Sequence, residues 1–227
     1  MEVFKWFEDL KQLLSKGVEG YFSFKYDEMV RKSEQAQEDF RGLARKTASV
    51  VQEGRLLDIG SGPGYISIEI AKLLPNVEIV GLDISDVMIE IATKNIDEEG
   101  LSERIALRKG DASNMPFGDS TFDFAISSDS LHHWKEPIQV LNEVFRVLKP
   151  GSKALISDFT KDAPEEKIRE ELALIDFRIM RWGVEHEIKT NSYTMQQAKE
   201  LIMKTEFGDC DIRLEDINLV IWLEKAS

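Results

Sequence analysis

Three glycines lie close together in the segment Asp58-Ile-Gly-Ser-Gly-Pro-Gly64, between an apolar run and an amphipathic one. Glycine lets the chain turn tightly and lets a ligand approach bare backbone. A glycine-rich loop that follows a strand and opens a helix is typical of sites for nucleotide-like ligands. The spacing therefore predicts such a site at Asp58–Gly64.

The spacing of the glycines also argues against two better-known loops. A dinucleotide fingerprint, G-x-G-x-x-G, would place its last glycine at Tyr65, whereas here the third glycine is Gly64. A Walker loop needs Gly-Lys-Ser/Thr, which does not follow. The ligand is therefore expected to be neither a nicotinamide dinucleotide nor a nucleoside triphosphate held by a Walker loop.

The elements that must position this loop alternate along the chain. The predicted strands are Arg55–Asp58 with Ile59, Glu78–Asp83, Arg104–Lys109, Thr121–Ser127 and Ser152–Asp158. Between them, helices are predicted at Tyr65–Leu74, after the cap Ser85, and at Pro137–Leu148. Strands separated by helices indicate a parallel sheet covered on both faces.

The two ends of the chain depart from this alternation. Cys210–Leu214 and Asn218–Leu223 are predicted to close the sheet as an antiparallel hairpin. Residues 1–50 are predicted to be helical, and residues 160–193 to hold a further helical piece, Glu165–Trp182. Because ligands of open α/β sheets bind beyond the carboxyl ends of the strands, both helical parts are expected to cover that edge. The predicted fold is a three-layer α/β sandwich with a mostly parallel seven-stranded sheet.

Composition limits the class of protein and its partners. The 227 residues suit one domain, and the net charge of −13 makes a nucleic acid a poor substrate, since phosphates attract cationic surfaces. Cys210 is the single cysteine, so no disulfide or cysteine metal cluster is expected, and a reducing cytoplasm fits. No signal peptide and no membrane span are expected from the sequence.

The glycine loop and four later segments resemble, in order and spacing, the motifs of class I S-adenosylmethionine-dependent methyltransferases. Asp58–Gly64 resembles their first motif, D/E-x-G-x-G-x-G. The later segments are Val80–Ser85, Gly110–Ala112, Phe122–Ser127 and Arg146–Gly151. The resemblance covers roughly residues 50–160 and is nearest to the branch of quinone-biosynthesis C-methyltransferases and small-molecule enzymes. It implies a methyltransferase domain over 51–227, with 1–50 as an N-terminal cover and 160–193 as a lid.

The resemblance implies a set of residues that hold S-adenosylmethionine, whose product is S-adenosylhomocysteine. They are Asp58, Gly60, Ser61, Gly62, Gly64, Asp83, Ile84, Met88, Asp111, Ala112, Ser127 and Tyr26. Asp83 would bind the ribose hydroxyls, Asp111 would accept from the adenine amine, and Asp58 would face the amino-acid part. Asp83 could instead serve the dipole of the following helix, Asp111 could cap a turn, and Asp58 could have a purely structural role.

The segment Ser127–Trp134 would form the floor of the acceptor site. His132, His133 and Asp129 are the candidate general bases, because an imidazole titrates near pH 6.5. The histidines could alternatively only pack the sheet edge. The acceptor is expected to be a small molecule, and the protein a monomer or homodimer without a metal. A nicotinamide-dependent oxidoreductase and a non-catalytic S-adenosylmethionine-binding protein are the alternatives.

Overall fold

The computed structural model describes residues 20–175 and 178–227. The strands β1 to β7 are Glu53–Ile59, Asn76–Asp83, Ile105–Lys109, Phe122–Ser128, Leu148–Phe159, Asp211–Glu215 and Asn218–Glu224. They form one sheet in the order β3-β2-β1-β4-β5-β7-β6. Strands β1 to β5 pair in parallel, and β7 is antiparallel to both β5 and β6. The predicted sheet and its closing hairpin are confirmed.

The central strands are apolar without alternation because helices cover both faces of the sheet. Leu56 and Leu57 on β1 are both fully buried, although they point to opposite faces. The strand order reverses between the neighbouring strands β1 and β4. Strands β2 and β3 follow β1 toward one edge of the sheet, and β5, β7 and β6 follow β4 toward the other edge. A reversal of this kind opens a crevice at the carboxyl ends of the strands, where α/β folds bind ligands.

Helices form the two outer layers. The helical segments α1 to α8 are residues 20–32, Glu34–Ala48, Tyr65–Leu73, Asp86–Glu98, Pro137–Val147, Glu165–Ala173, Arg178–Thr190 and Met195–Ile202. Residues of α2, α3 and α4 share one core cluster with the sheet, and residues of α5 and α8 share the other. A third, smaller cluster joins α6 and α7 to the β6–β7 turn through Ile168, Leu172, Ile188 and Ile217. No helix within the described ranges is long and apolar enough to cross a membrane.

Some predicted boundaries differ from the structure. Leu148, predicted as the end of a helix, starts β5 and pairs with Phe122. Helices usually end at or before the residue that precedes a proline, which here is Lys149. Leu73 and Leu74, which helical spacing predicts on one side of α3, differ in burial: Leu73 is 45% exposed, whereas Leu74 is buried.

The predicted helical covers are only partly tested. The piece Glu165–Trp182 is two helices, α6 and α7, and the Arg181 guanidinium donates to the carbonyl of Ile175 between them at 2.7 Å. Within the predicted cover 1–50, residues 20–32 and 34–48 are helical. The apolar positions Val3, Phe4, Phe7, Leu10 and Leu14 lie outside the described residues. The domain boundaries themselves stay a prediction.

Candidate active site

A cavity of 1290 Å³ opens at the carboxyl ends of β1, β2 and β4. One part of it, called here the cofactor end, is formed by the loops after β1, β2 and β3. The other part, the acceptor end, is formed by the segment after β4 and by apolar residues of β5, α6 and α7. The cofactor-end lining comprises Asp58, Gly60, Ser61, Gly62, Asp83, Ile84, Met88, Asp111 and Ala112. The acceptor-end lining comprises Asp129, His132, His133, Phe159, Leu172, Ile175, Val184, Glu187 and Ile188.

The glycine loop is held by backbone hydrogen bonds to the neighbouring strand. The amides of Gly60 and Ser61 both donate to the carbonyl of Leu82, at 2.8 and 3.1 Å. Gly60 and Gly62 have φ of 68° and 49°, a region that favours glycine. A Cβ at Gly62 would meet no atom closer than 4.0 Å and would stand in the cavity. The bare backbone therefore leaves room for a ligand.

Gly64 has a different task from the other two glycines. It caps the start of α3 with φ of 83° and does not line the cavity. A Cβ there would lie 3.3 Å from Cβ of Ala92 on α4. Gly64 therefore allows α3 and α4 to approach, and its predicted contact with the cofactor stays a prediction.

Asp83 at the end of β2 organises the cofactor end. Its carboxylate accepts from the amide of Gly62 and the amide of Ser85, both at 2.8 Å. The side chain is 9% exposed and faces the cavity. Asp83 thus fixes the glycine loop relative to α4 and places a carboxylate where a ribose is expected.

Two buried polar atoms of the loop lack partners among the described residues. Oδ2 of Asp58 accepts from Oγ of Ser67 at 2.6 Å, whereas Oδ1 of Asp58 and Oγ of Ser61 have no hydrogen-bond partner. Burial, and then the charge of Asp83, raise the pKa of Asp58 to about 7. Both residues belong to the lining of the cavity. A ligand carrying an ammonium group would satisfy them, so the residues fit S-adenosylmethionine.

The remaining cofactor-end residues surround the place expected for adenine. Ile84 is 66% exposed and lines the cavity, as does Met88 on the following helix. Asp111 accepts from the amide and the hydroxyl of Ser113, both at 2.8 Å. These bonds lower the pKa of Asp111 and show that it caps a turn while its side chain also lines the cavity.

Tyr26 and Ser127 are two further predicted cofactor contacts, and they differ in whether they line the cavity. Tyr26 lines the cavity from α1, and burial followed by the charge of Asp129 raises the pKa of its phenol. Ser127 is fully buried, and its hydroxyl donates to the carbonyl of Ile59 at 2.8 Å. Ser127 is not among the residues described as lining the cavity, so its cofactor contact stays a prediction.

The acceptor end contains a buried pair that joins β5 to the segment after β4. Nδ1 of His132 lies 2.6 Å from Oδ1 of Asp158, and the amide of His132 donates to Oδ2 of Asp158 at 2.9 Å. Burial opposes the charged imidazole, but the hydrogen bond and charge of Asp158 raise the pKa of His132 above its ordinary value. Burial, and then the charge of His132, lower the pKa of His133.

Asp129 lines the acceptor end of the cavity from the segment that follows β4. Its φ of 51° is uncommon for a residue other than glycine, and such backbone outliers cluster at functional sites. Burial, and then the charge of Asp158, raise the pKa of Asp129 to about 7. The three predicted catalytic candidates, Asp129, His132 and His133, are thus brought together on one wall of the cavity.

Sequence reasoning missed three acidic residues of the site. Asp158 holds His132, Glu187 lines the acceptor end from α7, and Asp27 accepts from the Tyr65 hydroxyl at 2.6 Å. Asp27 also accepts from the Asn95 side chain of α4 at 2.9 Å, and so fixes α1 against both α3 and α4. The signal for Asp158 was its position at the carboxyl end of a strand, whereas helical acids such as Asp27 and Glu187 carry no comparable signal.

Comparison with known proteins identifies the family. Residues 51–209 match the model of a methyltransferase domain family. An uncharacterized methyltransferase of Bacillus subtilis is 33% identical over 130 residues, 57% of this chain and 49% of that protein. A ubiquinone/menaquinone biosynthesis C-methyltransferase of Geotalea daltonii is 31% identical over 122 residues, 53% of this chain and 52% of that protein. The chain therefore spans about half the length of the curated relatives it matches.

A solved structure extends the likeness beyond these segments. A candidate S-adenosyl-L-methionine-dependent methyltransferase of Methanococcus maripaludis is 26% identical, with a TM-score of 0.75 over 93% of each chain. The family match decides against the nicotinamide-dependent alternative. The chain belongs to the methyltransferase domain family, with the class I fold and with S-adenosylmethionine as the cofactor of that fold.

Proposed function

We propose that the chain transfers a methyl group from S-adenosylmethionine to a small, partly apolar acceptor. The observation that carries the proposal is the continuity of one cavity from the glycine loop to the apolar surface of α6 and α7. Ligand pockets usually enclose about 300–1,000 Å³. A cavity of 1290 Å³ therefore has room for the cofactor together with an acceptor.

The cofactor end would hold S-adenosylmethionine through contacts of three kinds. Asp83 accepts from the ribose hydroxyls, Ile84 and Met88 flank the adenine, and Asp58 with Ser61 faces the amino-acid part. Asp111 and the backbone of Ala112 would contact the adenine edge, and Tyr26 would close over the cofactor from α1. The cofactor supplies a methyl group on a cationic sulfonium, so the chain's own task is to align the acceptor and exclude water.

Asp129 is the residue that this proposal assigns to accept the acceptor's proton. It lines the acceptor end of the cavity, and its pKa of about 7 suits a base that works near neutral pH. The groups that interact with it are Asp158, His132, Ser128, Asp39 and Tyr26. His132 and His133 are assigned to acceptor binding.

The nature of the acceptor follows from the lining and the composition. Leu172, Ile175, Val184 and Ile188 present apolar surface, while the net charge of −13 disfavours a nucleic acid. A single cysteine supports a cytoplasmic location, and the protein is proposed to act as a monomer or homodimer. The methylated atom would be an oxygen, carbon, nitrogen or sulfur of that acceptor.

The experiment is calorimetry with S-adenosylmethionine on wild type and Asp83→Ala, followed by a tritiated-methyl screen over metabolite extracts. Asp83→Ala is expected to weaken binding by about 1–3 kcal/mol, because it removes a charged acceptor. Asp86→Ala is the matched control, since Asp86 is exposed, pairs with Lys109 and does not line the cavity. No binding to wild type, or equal affinity in Asp83→Ala and Asp86→Ala, would contradict the proposal. If the chain binds S-adenosylmethionine but yields no labelled product, the alternative of a non-catalytic S-adenosylmethionine-binding protein would be supported instead.

A further inference from the structure

Two histidines and a glutamate converge at the acceptor end. His132 and His133 belong to a short 3₁₀ turn, Leu131–His133, and Glu187 belongs to α7. One nitrogen of each imidazole and one carboxylate oxygen of Glu187 lie within 4.8 Å of one another. All three side chains line the cavity. The turn after β4 and the lid helix are otherwise far apart in sequence, so the fold itself brings these groups together.

His132 is oriented before any ligand arrives. Nδ1 lies 2.6 Å from Asp158, and the side chains of His132 and Asp158 are only 4% and 3% exposed. The buried Asp158 carboxylate at Nδ1 fixes the orientation of the imidazole ring and leaves Nε2 as the nitrogen that can bind another group. Metal-binding histidines commonly have this arrangement, in which a carboxylate accepts from the ring nitrogen that does not bind the metal.

Glu187 has no cationic partner among the residues that the structure describes. Its carboxylate accepts from the Asn191 side-chain amide at 2.6 Å, one helical turn away. The neighbouring Glu185, by contrast, pairs with Lys189 at 2.6 Å. The Glu187 carboxylate thus faces two imidazoles and no described lysine or arginine. This arrangement favours a cation bound between the three side chains.

The donor set indicates the class of cation. Two imidazoles and one carboxylate are the ligands of catalytic zinc sites, which keep a fourth position for water or substrate. Zinc–nitrogen bonds of about 2.1 Å in a tetrahedron place ligand atoms about 3.4 Å apart. The donors here lie within 4.8 Å of each other, and rotation of the Glu187 side chain on its helix can supply the remaining approach.

We propose that His132, His133 and Glu187 bind one divalent transition-metal ion of the zinc type, with its open position toward the acceptor end. The ion would hold the acceptor through an oxygen, nitrogen or sulfur donor. The sequence alone predicted no metal, because adjacent histidines and a distant helical glutamate match no ligand spacing. The site itself requires only the observed geometry, whereas its role in holding an acceptor rests on the proposed function.

The test is zinc titration of the chelator-treated full chain, by calorimetry and by competition with a chromophoric chelator. Wild type is expected to bind one equivalent of zinc. Glu187→Gln and His133→Ala are expected to weaken zinc binding by at least about 100-fold, since each removes a ligand. Glu185→Gln and His186→Ala are matched controls on the same helix, and their side chains do not line the cavity. Cobalt in place of zinc should give the visible absorption of a tetrahedral site.

The outcomes separate this inference from the proposed function. Affinity for S-adenosylmethionine should be unchanged in Glu187→Gln, because the cofactor end is built from other residues. Less than one equivalent of zinc in wild type, or equal losses in the control variants, would overturn the metal site. Zinc binding without any methyl transfer would support the metal site and contradict the proposed function. Methyl transfer without zinc binding would support the proposed function and overturn the metal site.

Discussion

The cofactor end and the acceptor end of the cavity are built by different means. At the cofactor end, backbone amides and strand termini set the geometry: Gly60 and Ser61 bond to Leu82, and Gly62 bonds to Asp83. At the acceptor end, side chains from separate elements meet, such as His132 with Asp158 and Leu172 with Ile188. The first end is therefore fixed by the sheet, and the second by helices attached to it.

This difference separates binding of the donor from choice of the acceptor. Backbone hydrogen bonds survive most substitutions, so a donor site made from them can stay constant while the acceptor site changes. Side-chain surfaces on helices can change one residue at a time, which is how one fold serves many substrates. Changes at the cofactor end should therefore affect donor affinity, whereas changes at the acceptor end should affect turnover and the KM for the acceptor but leave donor affinity unchanged.

The largest expected effect comes from adding one methyl group to the glycine loop. In Gly60→Ala the new Cβ would lie 2.9 Å from Cβ of Ser130, at a backbone φ of 68°. We expect the loop to relax away from the conformation that binds the ligand, and restoring that conformation would cost about 1–3 kcal/mol. Affinity for S-adenosylmethionine should therefore fall by about 5–150-fold. Calorimetry on the purified variant measures the loss.

A second substitution separates the clash from the backbone strain. Ser130→Gly removes the atoms that the new Cβ would meet, but it leaves φ unchanged. Part of the lost affinity should return in the double variant, while Ser130→Gly alone should bind nearly as wild type does. Wild-type affinity for S-adenosylmethionine in Gly60→Ala would contradict this prediction, because it would show that the loop accommodates a side chain despite its backbone hydrogen bonds.

The next effect should appear at the acceptor end only. Asp158→Asn keeps an acceptor for the amide of His132 but removes the charge that orients its ring. Loss of such a partner typically costs about 10–100-fold in activity or metal affinity. Turnover should fall by that factor, while calorimetry should show unchanged donor affinity. A fall in donor affinity of the same size would mean that the two ends are not separable.

Donor affinity should depend on pH through Asp58. Its pKa is raised to about 7 in the ligand-free protein, so below pH 7 the carboxyl is protonated and an ammonium group must displace that proton. Affinity should thus rise by up to about tenfold per pH unit below 7 and level off above it. Calorimetry with S-adenosylhomocysteine from pH 5.5 to 8 measures the slope, and Asp58→Asn should flatten it.

The same titration has the opposite sign for stability without ligand. Because the folded-state pKa of Asp58 lies above its unfolded value of about 3.9, the folded state binds more protons between pH 4 and 7. The contribution of Asp58 to the free energy of unfolding should therefore fall as pH rises through that window. A slope that persists in Asp58→Asn would assign the effect to another group, of which Asp129 is the first to test.

The contrast between the ends also explains what the sequence could predict. The sheet, the hairpin and the cavity-facing positions of Asp83 and Asp111 follow from periodicity and from motifs that stay local in the chain. The meeting of His132 with Asp158 and Glu187 depends on how β5 and α7 pack, which no local pattern records. The hydrogen bond from the Ser127 hydroxyl to the carbonyl of Ile59 likewise joins two strands and has no local signal in the sequence.

The smallest expected effect tests the apolar lining with one methylene. Ile188 is 1% exposed and lines the cavity, whereas Ile168 belongs to the same cluster without lining it. Ile→Val at either position should lower the free energy of unfolding by about 0.5–1.5 kcal/mol. Only Ile188→Val should also raise the KM for the acceptor, by about fourfold if one buried methylene contributes about 0.8 kcal/mol.

Denaturant unfolding and steady-state kinetics with the acceptor from the labelling screen measure the two quantities separately. Equal KM values in the two variants would place the acceptor away from α7, and the acceptor end would then have to be assigned to another wall of the cavity.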